Sequence, residues 1–103
     1  MKEELNWKVK KLLINPNQSL SLQMHKYRSE HWIIVEGIAK IEIDNKVSII
    51  RKNESAFIPK NTKHRLTNPV NEPLIIIEVQ CGDYLEEDDI IRFSDDYGRV
   101  NNF

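Results

Sequence analysis

The chain has 103 residues, of which 40% are hydrophobic, so it can bury one hydrophobic core and not two. Fifteen basic and sixteen acidic residues leave a net charge of −1, which argues against a sequence-independent grip on nucleic acid or on an anionic membrane. No run approaches the ~18 consecutive apolar residues of a membrane span, and residues 12–14 are too few for a signal-peptide core. We therefore expect a single domain over residues 1–103, located in the cytoplasm.

Short runs rich in Ile, Val, Phe and Trp, separated by turn residues, follow one another along the chain and are typical of β-strands. In chain order they are 7–14, 20–25, 30–36, 38–43, 46–51, 55–58, 62–67 and 74–81. Asp44 and Asn45 predict a tight hairpin between two of them. The acidic run 86–89 indicates a solvated corner or, as the alternative, one helical turn. The pattern predicts an all-β jelly roll or barrel with at most one short helix near residues 85–90.

Four side chains with metal-binding chemistry fall at positions that such strands would bring together. In a strand beginning at Leu20, the period of two places Gln23 and His25 side by side on the polar face. A hairpin would return the carboxylate of Glu30 to that face, and His64 supplies a fourth ligand from a distant strand. Each residue alone could simply decorate a half-buried strand. Together, two imidazoles, one carboxylate and one amide predict a divalent metal site.

Two further residues of the strand at 74–81, Glu78 and Cys81, are predicted to be buried. Leu74, Ile76, Glu78 and Gln80 share one strand face. A carboxylate inside a barrel needs a reason, so Glu78 is a candidate general base. The single Cys81 cannot form an internal disulfide, and we expect it to be a small buried residue.

The candidate ligands lie at the spacings of two motifs, and through them the chain resembles a cupin. The first motif is matched by Asn17, Gln23, His25, Glu30 and Gly37, and the second by Asn53, Pro59, Asn61, His64 and Asn68. Asparagine replaces glycine at positions 17, 53 and 61, and asparagine tolerates the positive φ that such turns require. Gln23 replaces the first histidine of the motif.

Several further blocks resemble one family, the type II mannose-6-phosphate isomerase domain, which is commonly the C-terminal part of a bifunctional mannose-1-phosphate guanylyltransferase/isomerase. The blocks are residues 20–25, 30–32, 58–59, 64–66, 68–69, 77–80 and 88–93. Two features depart from the family. Lys26 and Tyr27 stand where the family shows further histidines, and its Arg-Pro-Trp-Gly segment has no counterpart before the first strand.

The resemblance implies metal-dependent isomerisation of mannose 6-phosphate to fructose 6-phosphate. The implied metal ligands are Gln23, His25, Glu30 and His64. The predicted metal is zinc, and manganese, iron, nickel and cobalt are the alternatives. A general base must move a proton between adjacent carbons. Glu78 and His31 are the two candidates, although strand alternation from Glu30 turns His31 outward.

The resemblance also assigns roles near the end of the chain. Arg92 would bind the substrate phosphate or take part in catalysis above the metal, because a guanidinium binds phosphate bidentately. A surface ion pair with Asp88 or Asp89 is the alternative. Lys60 and Arg99 are further substrate-binding candidates. The expected partners are a sugar phosphate and a second copy of the chain, joined through an edge strand. The alternative function is a non-catalytic metal- or sugar-binding cupin module.

Overall fold

Nine strands and no helix make up residues 6–94, the part of the chain that the computed structural model describes. They are β1 (Asn6–Ile14), β2 (Leu22–Met24), β3 (Arg28–Glu36), β4 (Ile38–Ile43), β5 (Lys46–Arg51), β6 (Ser55–Ile58), β7 (His64–Thr67), β8 (Leu74–Gly82) and β9 (Ile91–Ser94). Every predicted run overlaps a strand, and β9 is an additional strand. The acidic residues 86–89 lie in an irregular segment with a turn. The extent of the domain, residues 1–103, stays a prediction.

The strands form two antiparallel sheets, which confirms the predicted all-β cupin architecture. The first sheet has the order β1-β8-β3-β6, and the second has the order β5-β4-β7-β2-β9. None of residues 6–94 forms a helix long and apolar enough to cross a membrane.

Strand alternation builds the core between the two sheets. Trp32, Ile34 and Ile76 from the first sheet, and Ile41 and Leu66 from the second, are each at most 2% exposed. Burying a side chain of this size stabilises the fold by about 1.5–3 kcal/mol. The same alternation carries polar side chains inward toward one end of the sandwich, where the candidate ligands lie.

Residues in the left-handed region of backbone space terminate the strands where the motifs predicted them. Asn17, Asn53 and Asn61 have φ of 60°, 72° and 58°, and Asp44 has φ of 50° in the two-residue loop between β4 and β5. Asparagine and aspartate adopt this conformation at lower cost than other non-glycine residues. The substitution of motif glycines by asparagine therefore leaves the turns intact.

Asn68, the last residue of the second motif, has a structural role. It is fully buried, and its Nδ2 donates to the carbonyl oxygens of Ile14 at 3.0 Å and of Glu72 at 2.6 Å. Its Oδ1 accepts from the backbone N–H of Val70 at 3.2 Å. These bonds satisfy buried backbone groups and join the end of β1 to the β7–β8 loop.

The outer face of the first sheet is strongly apolar. Trp7, Val9, Leu13, Ile33 and Phe57 lie on it and are between 41% and 71% exposed. Cys81 lies on this face too and is exposed, so the expectation that it is buried was wrong. In β8 the inward positions are even-numbered, and this alternation places residue 81 outside.

A turn position gives a test of the backbone account. Asn53 is exposed, so Asn53→Ala removes little packing, but it places alanine at a φ of 72°. We expect the alanine variant to lose about 1 kcal/mol in the free energy of unfolding, and Asn53→Gly to lose none. Asn71→Ala, at an exposed position without positive φ, is the control. Equal stability of the Asn53→Ala and Asn53→Gly proteins in urea denaturation would contradict the account.

Candidate metal centre

The two sheets bring the predicted ligands to one cavity of about 130 Å³. Gln23 of β2 lies directly opposite His64 of β7 in the second sheet, and His25 follows β2. Glu30 enters from β3 of the first sheet. All four residues line the cavity, together with Lys10, Leu12, Leu20, Arg28, Trp32, Leu66, Glu78 and Glu87.

Three of the ligands converge closely. Nε2 of His25 lies 3.3 Å from Oε2 of Glu30, and Nε2 of His64 lies 3.9 Å from Oε1 of the same carboxylate. One ligand atom from each of His25, Glu30 and His64 can be chosen so that all lie within 4.8 Å of one another. Ligands at about 2.0–2.3 Å from one ion have separations in this range.

The hydrogen bonds of the two imidazoles direct their free nitrogens into the cavity. Nδ1 of His25 donates to the carbonyl oxygen of Asp89 at 2.6 Å, and Nδ1 of His64 donates to the carbonyl oxygen of Thr62 at 3.0 Å. A carbonyl oxygen can only accept, so the proton resides on Nδ1 in both neutral rings. The Nε2 lone pairs then face Glu30. Metal-binding histidines are held by backbone carbonyls in this way.

Burial keeps both rings neutral. The pKa of His64 is lowered from 6.5 to about 4, mainly by burial, and the neighbouring His25 contributes to this shift in the same direction. Burial also lowers the pKa of His25, and the positive charge of Arg28 acts in the same direction. Neutral imidazole is the form that binds metal, so both residues are in their ligand state at neutral pH.

The donor set fits a divalent metal ion. It comprises two neutral imidazoles, one buried carboxylate and the amide of Gln23, whose Nε2 donates to the carbonyl oxygen of Ser21 at 3.4 Å and to its Oγ at 3.2 Å. With the amide nitrogen bonded to Ser21, the amide oxygen is the ligand that Gln23 offers. The mixture of N and O ligands suits zinc and also manganese, iron, nickel or cobalt.

Glu78 lies beside this cluster and is a second buried carboxylate. Its Oε2 accepts from Trp32 Nε1 at 3.0 Å, and its Oε1 accepts from Gln80 Nε2 at 2.8 Å. The same Trp32 N–H also donates to Oε1 of Glu30 at 3.2 Å, so one donor joins the two carboxylates. Burial raises the pKa of Glu78, and the negative charge of Glu30 raises it further.

Arg28 is a site residue that the sequence analysis missed. Its Nε donates to Oε2 of Glu30 at 2.8 Å, and its Nη2 donates to Nε2 of His25 at 3.3 Å. The sequence does contain a signal for Arg28: it lies two residues before Glu30, and strand alternation puts both side chains on one face. The strand was predicted to begin at residue 30, whereas β3 begins at Arg28.

Asp89 holds the loop that follows β8 against the site. It is buried, and its carboxylate oxygens accept from the backbone N–H groups of Lys26 and Tyr27, both at 2.9 Å. Its carbonyl oxygen is the acceptor for His25. The interpretation of residues 86–89 as a solvated corner was therefore wrong at Asp89.

His31 and Lys60 are not brought to the cavity. His31 is exposed on the outer face of β3, and its ring packs against Phe57 with 5.0 Å between centroids. This position corrects its assignment as a candidate base, because the outward side chain cannot reach a substrate at Glu30. Lys60 is exposed in the segment between β6 and β7 and does not line the cavity.

Arg92 is not among the residues that line the cavity, and its role in substrate binding stays a prediction. In β9 it lies directly opposite Gln23, so the two side chains share a sheet face. Within residues 6–94 no salt bridge joins Arg92 to Asp88 or Asp89, and its buried Nε has no hydrogen-bond partner. Arg99 lies outside the described residues.

Two antiparallel sheets with a His/Glu/His cluster between them are typical of the cupin fold. Solved structures agree on this fold. A double-stranded β-helix protein from Klebsiella pneumoniae superposes with a TM-score of 0.74 at 18% identity, covering 84% of this chain and 73% of that one. A cupin 2 conserved barrel protein from Salinispora arenicola gives 0.66 at 20% identity, covering 72% and 61%.

The chain belongs to the family described as mannose-6-phosphate isomerase C-terminal, whose profile matches residues 1–95. It is 49% identical over 94 residues to the mannose-1-phosphate guanylyltransferase of Escherichia coli K12. It is 52% identical over 95 residues to the alginate biosynthesis protein AlgA of Pseudomonas syringae pv. tomato. These matches cover 91% and 92% of this chain but 20% of each relative, so the chain spans about a fifth of their length.

The depressed pKa of His64 predicts how stability depends on pH in chelator-treated protein. The unfolded chain binds a proton at about 6.5 and the folded one at about 4, so acid favours the unfolded state. The contribution is fully present above pH 6.5. It is lost as pH falls to 4, by up to about 3 kcal/mol.

Urea denaturation at several pH values between 4 and 7 measures this loss. His64→Gln should flatten the profile in that window, whereas His31→Gln, at an exposed position, should leave it as in the parent protein. Unchanged pH dependence in His64→Gln would contradict the assignment of His64 as a buried neutral ring. Glu78 acts in the opposite direction, because its raised pKa removes stability as pH rises above 4.5.

Proposed function

We propose that this domain is a metal-dependent isomerase that interconverts mannose 6-phosphate and fructose 6-phosphate. The observation that carries the proposal is the convergence of His25, Glu30 and His64 beside a second buried carboxylate, Glu78. Aldose/ketose isomerisation needs electrophilic stabilisation of an oxygen and a base for the adjacent carbon. The family and the printed names of the relatives support a sugar-phosphate substrate. A cytoplasmic location stays a prediction.

In this proposal His25, Glu30 and His64, with Gln23, hold the ion. An ion held there would supply Lewis-acid polarisation of the substrate carbonyl, which lowers the cost of removing the adjacent proton. Glu78 is the group that accepts this proton and returns it to the neighbouring carbon. Its raised pKa brings it closer to neutral pH, where a carboxylate can both take and give a proton.

The size of the cavity constrains where the phosphate lies. At about 130 Å³, the cavity is below the roughly 300–1,000 Å³ of typical ligand pockets, so it takes the reacting end of a sugar and not the whole sugar phosphate. The phosphate must then lie outside. Arg92 is the first candidate to bind it, since its side chain shares the sheet face of Gln23 and its Nε has no hydrogen-bond partner among residues 6–94. Lys60 and Arg99 remain proposed substrate-binding residues.

The same small volume favours a second function, a metal-binding cupin module without turnover. If the cavity does not admit even the reacting end of the sugar, the domain would bind metal and leave mannose 6-phosphate unchanged. A coupled assay of fructose 6-phosphate formation, with added metal and with chelator, separates the two functions. Metal-dependent turnover supports the isomerase, and stoichiometric metal binding without turnover supports the module.

The role of Glu78 gives the sharpest test of the mechanism. Glu78→Gln keeps the size of the side chain but removes the base, so kcat should fall by about 10²–10⁴-fold while metal content stays at the parent level. His31→Gln, at the other residue considered as base, should retain kcat within about twofold. Full activity in Glu78→Gln would contradict the assignment, and loss of activity in His31→Gln would transfer the role of base to His31. Steady-state kinetics and elemental analysis of both variants supply the measurements.

We also propose that the domain forms a homodimer through the apolar outer face of the first sheet, in place of the edge strand that the sequence suggested. Four strands about 4.8 Å apart and up to nine residues long present about 500 Å² of flat sheet. Side chains that project from the sheet increase the area that a partner can contact, which brings it close to the roughly 800 Å² per partner of a standard interface. A second copy carries the same apolar face, so two copies are complementary around a two-fold axis.

Sedimentation velocity at micromolar concentration tests the dimer. The parent protein should sediment with the mass of two chains, and Phe57→Lys should sediment as one chain, because the charge would be buried on the proposed face. Val47→Lys is the matched control, since Val47 is 59% exposed on the other sheet. A monomeric parent protein, or a dimer that only Val47→Lys dissociates, would rule out this interface.

A further inference from the structure

Arg28 contacts the same atoms that a metal ion would use. Its Nε donates to Oε2 of Glu30 at 2.8 Å, and its Nη2 donates to Nε2 of His25 at 3.3 Å. Nε2 of an imidazole has one lone pair, so it cannot accept a hydrogen bond from guanidinium and bind a metal ion at the same time. The guanidinium and the ion therefore compete directly for His25, and as like charges they repel each other beside Glu30.

Charge explains why a cation lies here. Glu30 and Glu78 are both buried, and Arg28 is the one lysine or arginine among residues 6–94 that is buried. Lys10, which also lines the cavity, is directed instead to Glu87, with 3.0 Å between Nζ and Oε2. The ion pair with Arg28 therefore compensates the burial of Glu30.

The hydrogen bonds of Arg28 are incomplete. Its Nη1 is buried and has no hydrogen-bond partner within the described residues. A buried donor without an acceptor costs free energy, so this position of the guanidinium is less favourable than its two contacts alone would make it. That cost lowers the work needed to move the side chain away.

We propose that Arg28 is an internal counter-cation of the ligand cluster, which holds His25 and Glu30 together in the metal-free protein and is displaced when the metal binds. The inference rests on the metal site of the proposed function and adds a determinant of its affinity. Metal binding must break the contact of Arg28 with His25 and place a second positive charge beside the guanidinium, so the apparent affinity of the site is reduced by the cost of displacing Arg28. Arg28 is a positioning residue in the metal-free state and a competitor in the loading step.

A different role makes the opposite prediction. If Arg28 stayed on Oε2 of Glu30 while Oε1 bound the ion, it would orient the carboxylate as an outer partner of the ligand. Removing such a partner typically weakens metal affinity by 10–100-fold. Displacement predicts tighter binding, so the direction of the change decides between the two roles.

Zinc affinity of chelator-stripped protein, measured by competition with a fluorescent chelator, provides the test. Arg28→Met should bind Zn²⁺ about tenfold more tightly than the parent protein, because the competing charge is gone. Arg28→Lys should lie between them, since it keeps the charge but loses the fork. Lys26→Met is the control: it removes one exposed positive charge nearby and should change the affinity by less than about twofold.

Thermal melts give a readout that does not depend on zinc titration. Without metal, Arg28→Met should melt several degrees below the parent protein, because Glu30 loses its buried partner. With saturating Zn²⁺ the difference should close. If Arg28→Met does not fold without metal, the affinity of Arg28→Lys decides: tighter binding than the parent supports displacement, and equal or weaker binding overturns it.

The outcomes of these experiments distinguish failure of the proposed role of Arg28 from failure of the proposed metal site. Zinc binding by the parent protein with equal or weaker binding by Arg28→Met overturns the role of Arg28 alone. Absence of zinc binding by the parent protein, the Arg28→Met variant and the Lys26→Met control overturns both the metal site and the role of Arg28.

Discussion

The burial of one carboxylate, that of Glu30, is the constraint on which the rest of the site depends. Glu30 is 2% exposed, and an uncompensated charge at such a position is very costly. Its two oxygens are met by Arg28 at 2.8 Å and by Trp32 at 3.2 Å, with the two histidines just beyond. The residues around the cavity are therefore arranged about a negative charge that the fold has removed from water.

This arrangement also fixes the states of the neighbouring groups. Because the carbonyl oxygens of Asp89 and Thr62 accept from the Nδ1 atoms of the two rings, the Nε2 lone pairs face the carboxylate of Glu30. These lone pairs and the carboxylate oxygens together attract a cation. Burial raises the pKa of Glu78, and the negative charge of Glu30 raises it further.

Local pattern predicted much of this, and long-range packing accounts for what it missed. Alternation in β8 placed Glu78 inside, and asparagine at motif glycine positions predicted positive φ at Asn17, Asn53 and Asn61. Arg28 was missed because the start of β3 depends on pairing with Gly82, more than fifty residues away. Asp89 was missed because the backbone donors that bury it belong to a distant turn. For His31, strand alternation predicted an outward side chain, whereas the mechanism implied by the family resemblance made it a candidate base. The structure agrees with the strand alternation.

The central claim is that His25, Glu30 and His64 bind one divalent metal ion between the two sheets. Anomalous diffraction at the zinc edge, from crystals grown with Zn²⁺, tests it most directly. The account predicts one strong peak within about 2.0–2.3 Å of Nε2 of His25, Nε2 of His64 and an oxygen of Glu30. Peaks confined to the protein surface, with none inside the cavity, would contradict it.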